Sequence, residues 1–333
     1  MNTVIVDKNE IDDAAKCLKN GGLVVFPTET VYGLGADAFN KQAIDGIYKA
    51  KGRPNDNPLI VHIADIKCLD YLVKEVPSCA KKLMDKYWPG PMTLIFKKSD
   101  NVIDRVTAGL DTVAVRMPSS DIARELISKS GVYVAAPSAN LSGSPSPTVA
   151  RHVIDDLNGR VDYIITGDDC EIGLESTVID VSGEFPVILR PGAITLEMLC
   201  KIESNSSLDK GLLNNEQKPK SPGMKYTHYS PKAQVIVVCG NKQNREKYIS
   251  QQLLKGENIG VLTYDGGNYN GAVCVINAGN SMQQYAKSLF YNLRLFDENN
   301  AKTVYCEFCE EGGIGEAVKN RLYKAAGQNV VYV

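Results

Sequence analysis

Residues 204–233 interrupt the hydrophobic patterning of the chain, and this interruption limits the folds that the sequence can adopt. Ser, Asn, Lys, Pro and Gly crowd together there, and no apolar period of a helix or strand continues through the segment. The 333 residues are also more than one hydrophobic core usually contains. We therefore expect two domains, residues 1–205 and 234–333, joined by a linker over residues 206–233.

The first region alternates apolar runs typical of buried strands with apolar repeats at helical spacing. Ile11, Ala14 and Leu18 share one helix face, and Gly21-Gly22 ends that helix. Further helices are expected at residues 41–50, 78–86 and 121–129, and strands at 23–26, 59–62, 92–96, 112–116, 132–136, 163–165, 177–181 and 187–190. The last two strands flank a turn and read as a hairpin. This mixture predicts one α/β domain.

The second region has the pattern of a smaller α/β unit. Four apolar runs read as buried strands, and two longer segments place apolar residues on one helix face. The strands are expected at residues 235–238, 260–263, 273–276 and 303–307, and the helices at 281–296 and 315–326. This order predicts a Rossmann-like layer sandwich.

Composition and charge exclude several classes of protein. Residues 1–205 carry 22 basic and 28 acidic side chains, a net charge of −6, so this region does not attract polyanions by charge alone. The nine scattered cysteines and a start without a signal-peptide pattern favour reduced thiols and a cytoplasmic location. No apolar run is long enough to span a bilayer.

Two familiar motifs, a dinucleotide-binding pattern and a metal-binding pattern, are poor candidates for functional sites in this sequence. The run Gly33–Asp37 with Ala38 fits the loose G-x-G-x-x-A pattern, but it starts seven residues beyond Phe26, so we interpret it as a glycine turn. Cys306 and Cys309 form a lone C-x-x-C without a second ligand pair nearby, and we interpret them as ordinary thiols. The chain has no P-loop.

The densest group of candidate site residues is K-G-R-P with the N-x-N-P-L-I-V-H that follows. We expect Lys51 and Arg53 to lie on extended backbone and point the same way, a mobile charge beside a planar fork, which suits a polyphosphate. A solvated basic loop is an equally good interpretation of this motif alone. His62, at the end of an apolar strand, is by itself more typical of a core histidine.

A second group follows a buried strand at residues 135–140. The small residues of A-A-P-S-A-N would let a ligand approach the backbone, and Ser138 and Asn140 would supply short hydrogen bonds, although for this motif by itself a turn-rich connection is the better interpretation. Arg116 and Arg190 each end a strand, a position that suits binding of carboxylate or phosphate.

These motifs together resemble the threonylcarbamoyl-AMP synthase family in its two-domain form. The family's K-x-R and S-x-N signature is present as Lys51, Arg53, Ser138 and Asn140, which the resemblance assigns to catalysis. P-T-E-T-V-Y-G-L, W-P-G-P, E-S-T-V, R-P-G, the linker's S-P-G-M-K-Y-x-H-Y and G-I-G-E-A-V-x-N-R-L also occur in the family's order. The resemblance implies a twisted mixed sheet with helices (a YrdC-like catalytic domain) and a smaller Rossmann-like domain.

The resemblance also implies a reaction and its binding residues. L-Threonine and bicarbonate would form a carbamate, whose oxygen attacks the α-phosphate of ATP and expels pyrophosphate, in the pathway to threonylcarbamoyladenosine in tRNA. The residues implied for threonine are Thr30, His62, Arg116, Ala136 and Ser176. Those implied for ATP are Lys51, Arg53, Asn57, Thr112, Ser138, Asn140, Ser146, Arg190 and Tyr226.

Several further expectations depend on this resemblance. Mg²⁺ would be bound mainly through phosphates and water, without a protein cage. The product would pass to the tRNA threonylcarbamoyl transferase machinery, and whether tRNA binds directly stays open. The alternative is an RNA-binding or ribosome-associated module of the same fold, which the net charge of −6 disfavours. A carbamoyl-transferring domain of hydrogenase maturation would need a zinc-finger context that this chain lacks.

The linker sequence is too aromatic and basic for a passive tether. We expect residues 221–231 to fold over the site as a lid, with Tyr226 against the nucleotide and Lys225 near its phosphates. In the alternative interpretation the segment is a solvated linker whose aromatic side chains pack on the second domain.

Overall fold

The computed structural model describes residues 2–55, 57–209, 211, 229–309 and 312–333. The chain separates into two compact units. The first contains Met1–Ser142, Pro147–Glu171 and Glu175–Lys225, and the second contains Gly143–Ser146, Ile172–Leu174 and Tyr226–Val333. Two short segments from the first 205 residues, 143–146 and 172–174, therefore belong to the second unit.

The first unit is built on one eleven-stranded mixed sheet. Its strands are β1 (Val4–Val6), β2 (Val24–Phe26), β3 (Gly33–Asp37), β4 (Ile60–His62), β5 (Met92–Lys97), β6 (Thr112–Arg116), β7 (Val134–Ala135), β8 (Tyr163–Ile165), β9 (Thr177–Asp180), β10 (Val187–Arg190) and β11 (Ser207–Leu208). They lie in the order β1-β8-β2-β3-β7-β4-β6-β5-β9-β10-β11. The predicted mixed α/β fold is confirmed, and β9 and β10 pair antiparallel as the expected hairpin.

The helices of the first unit pack apolar faces on this sheet. They are α1 (Ile11–Lys19), α2 (Lys41–Lys51), α3 (Leu69–Leu72), α4 (Ser78–Tyr87), α5 (Asp104–Thr107), α6 (Asp121–Ser130), α7 (Ala150–Leu157) and α8 (Leu196–Cys200). In α1 the buried residues include Ile11, Ala14 and Leu18, the face that the sequence indicates. The Asn40 side chain caps α2 by accepting from the backbone N–H groups of Gln42 and Ala43.

The expected glycine turn at residues 33–38 is wrong, because Gly33–Asp37 forms β3, antiparallel to β2. The glycines are needed there by packing. A Cβ on Gly35 would lie 2.8 Å from Val134 Cγ1 and 2.9 Å from the Phe26 ring. The residues therefore make a strand whose missing side chains leave room for Phe26 and Val134.

The second unit has a five-stranded, all-parallel sheet, which confirms the expected Rossmann-like α/β architecture. Its strands are β12 (Gln234–Cys239), β13 (Ile259–Thr263), β14 (Cys274–Asn277), β15 (Thr303–Phe308) and β16 (Val330–Tyr332), in the order β14-β13-β15-β12-β16. Its helices are α9 (Lys242–Leu253), α10 (Met282–Glu298) and α11 (Gly315–Ala325). No helix in the described part of either unit is long and apolar enough to cross a membrane.

Candidate active site

The central strands β4 and β6 arrange the candidate site. They are parallel neighbours, with Ile60 opposite Ala114 and His62 opposite Arg116. His62 and Arg116 therefore lie together at the carboxyl ends of adjacent parallel strands, the usual location of ligand sites in α/β sheets. Thr112 begins β6 at the opposite end, about 13 Å away along the strand.

Arg116 is held by a buried ion pair that the sequence did not indicate. Its Nη2 donates to Glu29 Oε1 at 2.7 Å, and both side chains are almost fully buried. Arg116 Nε and Glu29 Oε2 have no hydrogen-bond partner among the residues that the structure describes. Because a buried charge is costly without compensation, Glu29 offsets the guanidinium charge while leaving one donor and one acceptor unused.

His62 is a neutral, buried side chain beside this pair. Its Nδ1 lies 3.2 Å from the carbonyl oxygen of Ile60, and the Phe26 ring packs edge-on against it with centroids 6.2 Å apart. Burial, reinforced by the positive charge of Arg116, lowers the pKa of His62 to about 3. His62 can therefore offer a neutral ring to a ligand near Arg116 across the physiological pH range.

Ser176 and Arg190 are joined by three hydrogen bonds. Arg190 Nε and Nη2 donate to the carbonyl oxygen of Ser176 at 3.1 and 3.0 Å, and Nη2 also contacts its hydroxyl at 3.2 Å. That hydroxyl lies 2.7 Å from Thr93 Oγ1, and Thr93 is opposite Arg116 in the sheet. Arg190, expected at ATP, is therefore connected to the group of residues expected at threonine.

Thr30 and Ala136 complete the residues expected at threonine. Thr30 is fully buried in the turn that carries Glu29, and its hydroxyl lies 2.9 Å from Thr28 Oγ1. Ala136 follows β7, and its backbone N–H donates to the Ile60 carbonyl at 2.9 Å. Together with the ion pair and the register of the strands, these contacts bring all five residues expected at threonine to one region of the sheet.

Lys51 connects the two signature motifs. Its Nζ donates to the carbonyl oxygens of Ser138 and Asn140 at 2.5 and 2.7 Å, and lies 3.3 Å from Asn140 Oδ1. The Ser138 hydroxyl in turn donates to the same Oδ1 at 2.5 Å. K-x-R and S-x-N, far apart in sequence, therefore form one hydrogen-bonded cluster around a buried ammonium group.

The expected extended backbone at Lys51 and Arg53 is wrong. Lys51 is the last residue of α2, and Gly52 ends the helix in the left-handed conformation with φ 63°. The helical C-cap turns the chain, and Arg53 follows it, half-buried, with its N–H donating to the Tyr48 carbonyl at 3.0 Å. The end of a helix, and not a strand, therefore positions the Lys51 side chain.

Asn57 and Thr112 lie near the amino ends of β4 and β6. Asn57 is fully buried, yet neither its side-chain oxygen nor its side-chain nitrogen has a hydrogen-bond partner among the residues that the structure describes. A buried amide of this kind normally finds a partner, so Asn57 is consistent with a ligand that supplies one. Thr112 is half-buried and opposite Lys97.

Two residues expected at ATP need separate mention. Ser146 is fully buried and belongs to the second unit. Tyr226 and residues 221–228 of the expected lid (residues 221–231) lie outside the described residues. Tyr229, at the described end of the linker, stacks on Phe290 of the second unit with ring centroids 5.1 Å apart. For Tyr229 the structure therefore matches the alternative in which linker aromatics pack on the second domain.

Sequence reasoning missed Glu29 and Thr93 as parts of the site. Glu29 stands within the quoted P-T-E-T motif, and the signal in the sequence is a single charged residue in the otherwise uncharged stretch 23–36. Thr93 lies inside an apolar strand, where only its polarity distinguishes it. Both residues contact predicted site residues across long stretches of sequence, which no local pattern reveals.

The donor set of the cluster around Lys51 suits phosphate better than a bare metal ion. It offers an ammonium group, a hydroxyl and amides, and the described residues contain no group of three or more His, Cys, Asp or Glu side chains arranged to hold a metal. Mg²⁺ prefers oxygen ligands and keeps water. These residues therefore fit a magnesium ion that is carried by the phosphates.

A large mixed sheet with buried charged and polar side chains near both ends of a central strand is typical of α/β proteins that bind small charged molecules. A family model named "Telomere recombination" matches residues 16–192, and "Threonylcarbamoyl-AMP synthase, C-terminal domain" matches residues 194–327. The chain belongs to the threonylcarbamoyl-AMP synthase family, as its motifs indicated.

Relatives of known name cover almost the whole chain. Threonylcarbamoyl-AMP synthase of Bacillus subtilis is 47% identical over 327 residues, covering 97% of this chain and 94% of that protein. The enzyme of the same name from Pyrococcus abyssi is 44% identical over 333 residues, covering 98% and 97%. The crystal structure of P. abyssi Sua5 complexed with L-threonine has a TM-score of 0.94 and 42% identity over 100% of both chains.

Proposed function

We propose that this chain is a nucleotidyltransferase that converts L-threonine, bicarbonate and ATP into threonylcarbamoyl-AMP and pyrophosphate. The observation that carries the proposal is the division of the site along β4. Arg116, Glu29 and His62 gather at its carboxyl end. Strand β7 runs antiparallel to β4, so Ser138 and Asn140, which follow β7 and bind Lys51, lie toward the amino end of β4. Two substrates of different charge would thus bind at neighbouring positions.

The carboxyl end of β4 suits an amino acid. Arg116 would bind the threonine carboxylate through the donor that its pair with Glu29 leaves unused. Thr30, His62, Ala136 and Ser176 would surround the rest of the molecule, and the neutral ring of His62 suits a hydroxyl partner. P. abyssi Sua5 forms a complex with L-threonine, which supports threonine as the amino acid.

The other cluster suits ATP. Lys51 and Arg53 would offset the charge of the triphosphate, and Ser138, Asn140 and the unpartnered amide of Asn57 would supply hydrogen bonds. Thr112, Ser146, Arg190 and Tyr226 complete the proposed set. Mg²⁺, held by phosphate and water oxygens, would neutralise phosphate charge.

The proposed reaction follows from the positions of the two substrates. The threonine nitrogen forms a bond to the carbon of bicarbonate, with loss of water, and the resulting carbamate oxygen bonds to the α-phosphorus of ATP as the bond to pyrophosphate breaks. The side chains bind, orient and offset charge, and such placement and electrostatic stabilisation are the main sources of rate in phosphorus chemistry. No general base is assigned.

The cellular location of the protein and the fate of its product are also part of the proposal. Free thiols at all nine cysteines agree with a reducing, cytoplasmic location. The product, a reactive mixed anhydride, must be consumed by a transferase that modifies tRNA.

A pyrophosphate assay tests the proposal. We expect release from ATP only when threonine and bicarbonate are both present. Release at the same rate without bicarbonate, or without threonine, would contradict the proposal. Catalytically dead protein, Lys51→Met/Arg53→Ala, is the matched control for contaminating ATPases.

A further inference from the structure

The buried ion pair between Glu29 and Arg116 leaves one group unused on each side. Arg116 Nη2 donates to Glu29 Oε1 at 2.7 Å, whereas Arg116 Nε and Glu29 Oε2 have no hydrogen-bond partner among the described residues. Glu29 is 7% exposed and Arg116 is 4% exposed, so little water reaches either group. A carboxylate that served only as the counter-ion of an arginine would gain by pairing both oxygens. Glu29 Oε2 is therefore a buried acceptor that suits a donor on a ligand.

The turn between β2 and β3 fixes the position of Glu29. The Thr28 hydroxyl accepts from the backbone N–H groups of Thr30 and Val31 at 3.2 and 3.3 Å, and it donates to the Val31 carbonyl oxygen at 2.6 Å. These bonds close a tight turn around Glu29. Thr30, the next residue, is one of those proposed to bind threonine. The Glu29 carboxylate is therefore held beside the proposed threonine site.

The other titratable groups near Arg116 do not compete with Glu29 as proton acceptors. Burial, reinforced by the charge of Arg116, lowers the pKa of His62 to about 3, so its neutral ring is a poor base. Burial, reinforced by the charge of Glu29, raises the pKa of the Cys170 thiol, which therefore keeps its proton. Glu175, a second buried carboxylate of the first unit, interacts with another group of the chain. Glu29 thus combines a negative charge with an oxygen that has no partner within the described chain.

An α-amino acid carries the complement of the two unused groups. Its carboxylate and its ammonium group are attached to the same carbon atom, so they can reach a donor and an acceptor that lie side by side. The carboxylate can accept from Arg116 Nε while the ammonium group donates to Glu29 Oε2. A simple carboxylate without an ammonium group would satisfy only Arg116 and would add a second buried negative charge beside Glu29. The pair therefore favours a zwitterion.

The geometry points to Glu29 as a catalytic residue that binds the ammonium group of threonine and removes one of its protons. This inference rests on the proposed function and supplies the proton acceptor that carbamate formation needs, because an ammonium nitrogen has no free electron pair. Glu29 Oε2 takes one proton, and the electron pair left on nitrogen forms the bond to the carbon of bicarbonate. The bicarbonate hydroxyl leaves with a second nitrogen-bound proton as water, and Glu29 later returns its proton to solvent.

The charges around Arg116 favour this proton transfer. Before threonine binds, the Glu29 carboxylate offsets the guanidinium charge. Once the threonine carboxylate lies against Arg116, two carboxylates share one cation, and repulsion between like charges favours a proton on one of them. The transfer also replaces a buried ammonium–carboxylate pair by two neutral groups, which are less costly to bury. Arg116 keeps the threonine carboxylate as its counter-ion throughout.

Calorimetric titration of the full-length chain tests the contact between Glu29 and the ammonium group. The two ligands are L-threonine and its hydroxy-acid analogue, in which a hydroxyl replaces the ammonium group. The wild type should bind threonine about 10–100-fold more tightly than the analogue, the range expected for a buried charged hydrogen bond. Glu29→Gln keeps an oxygen for Arg116 and should reduce this preference to about threefold or less. Equal weakening of both ligands, the result of a purely structural role, would overturn the inference.

Steady-state kinetics test the proton transfer itself. Glu29→Gln should lower kcat for pyrophosphate release about 10²–10⁴-fold at saturating threonine, the usual contribution of a positioned proton acceptor. Glu29→Asp keeps a carboxylate on a shorter side chain and should recover part of this loss. Glu125→Gln makes the same chemical change at an exposed position of α6, so it is the matched control and should alter neither kcat nor the ligand preference.

Glu29→Asp also covers the case in which Glu29→Gln does not fold, because it keeps a negative charge for Arg116. Its kcat should fall at least about fivefold while its Tm stays close to that of the wild type, since the carboxylate is withdrawn from the nitrogen. A kcat within about twofold of the wild type in either variant would overturn the inference. Wild-type protein that binds threonine and the analogue equally would also overturn it and leave the proposed function standing. Wild-type protein that fails to release pyrophosphate would instead refute the proposed function.

Discussion

The two ends of β4 differ in how their polar groups are satisfied before any substrate binds. At the carboxyl end, Arg116 is paired with Glu29 and Arg190 is bonded to Ser176. On the side of the amino end, Lys51 is bonded to backbone carbonyl groups, and the Asn57 amide has no partner within the described chain. In the first region a carboxylate lies beside the Arg116 guanidinium, an arrangement of both charges that suits a zwitterion, whereas Lys51 is hydrogen-bonded to neutral oxygens of Ser138 and Asn140, an arrangement that suits a polyphosphate.

From this difference we expect a substitution in one region to weaken the binding of one substrate and to leave the binding of the other almost unchanged. A zwitterion gains little from net charge and depends on matched donors and acceptors, so its site should be sensitive to the loss of single groups. A polyphosphate is attracted by charge as well, and neighbouring cations partly compensate for one another.

The largest expected effect concerns the choice of amino acid at the carboxyl end of β4. Valine lacks the hydroxyl of threonine and would leave buried polar groups unpaired, so we expect its kcat/KM in pyrophosphate release to be lower by roughly 10⁴-fold. Serine keeps the hydroxyl and loses a methyl group, and should be disfavoured by only about 10–200-fold. Equal rates with valine and threonine would remove the basis for assigning this region to threonine.

The next effect concerns Arg116. Arg116→Ala should weaken threonine binding by about 10²-fold or more, with ATP affinity nearly intact, because only the charged fork is lost. The change also leaves Glu29 buried without its partner, which costs about 3–5 kcal/mol of stability. The double variant Glu29→Gln/Arg116→Ala removes that penalty, and calorimetric titration should find the same loss of threonine binding in it. Restored threonine binding in the double variant would show that misfolding, not the fork, caused the loss.

Arg53, unlike Arg116, is expected to affect the binding of ATP and not that of threonine. Arg53→Ala should weaken ATP binding roughly 10–100-fold and leave threonine binding unchanged. Lys49→Ala removes an exposed positive charge from α2 a few residues earlier, so it is the matched control and should change ATP binding little. If Lys49→Ala and Arg53→Ala weaken ATP binding equally, then general charge attraction and not a placed residue explains the effect.

Strand positions with uninterrupted apolar runs could be predicted well from the sequence. The strands 112–116, 163–165 and 187–190 have the predicted bounds, because each is a short apolar run between polar or turn residues. By contrast the sequence predicts a turn where β3 lies, since two of its five residues are glycines and carry no apolar pattern. Helix α9 was missed because it buries only Arg245 and Ile249 and its exposed face dominates its sequence.

The candidate site could likewise be predicted only in part from the sequence. The types of its residues could be read from motifs, but their grouping could not. That Lys51 contacts Ser138, or that Arg116 is paired with Glu29, depends on strand register and on a helix end meeting a loop 87 positions later. Such long-range contacts leave no local period in the sequence, so only the fold reveals them.

The smallest expected effect concerns His62 and stability. The pKa of His62 is lowered to about 3 in the folded protein, against about 6.5 when unfolded, so below pH 6.5 the unfolded chain binds a proton that the folded chain does not. Its contribution is therefore complete above about pH 6.5 and is lost as the pH falls toward 3. Between pH 7 and 5 the free energy of unfolding should fall by about 2 kcal/mol more in the wild type than in His62→Gln. Denaturant unfolding at both pH values measures this, and parallel losses would mean that His62 is protonated when folded.

The identity of the adenylate tests the account most directly, because it requires both ends of β4 to act on one product. Incubation with threonine, ATP and ¹³C-bicarbonate, followed by mass spectrometry, should reveal a compound containing AMP, threonine and the labelled carbon, formed in equal amount to pyrophosphate. An unlabelled adenylate in which the threonine carboxyl is joined directly to AMP would contradict the account, because the two sites would then activate the amino acid itself and not its carbamate.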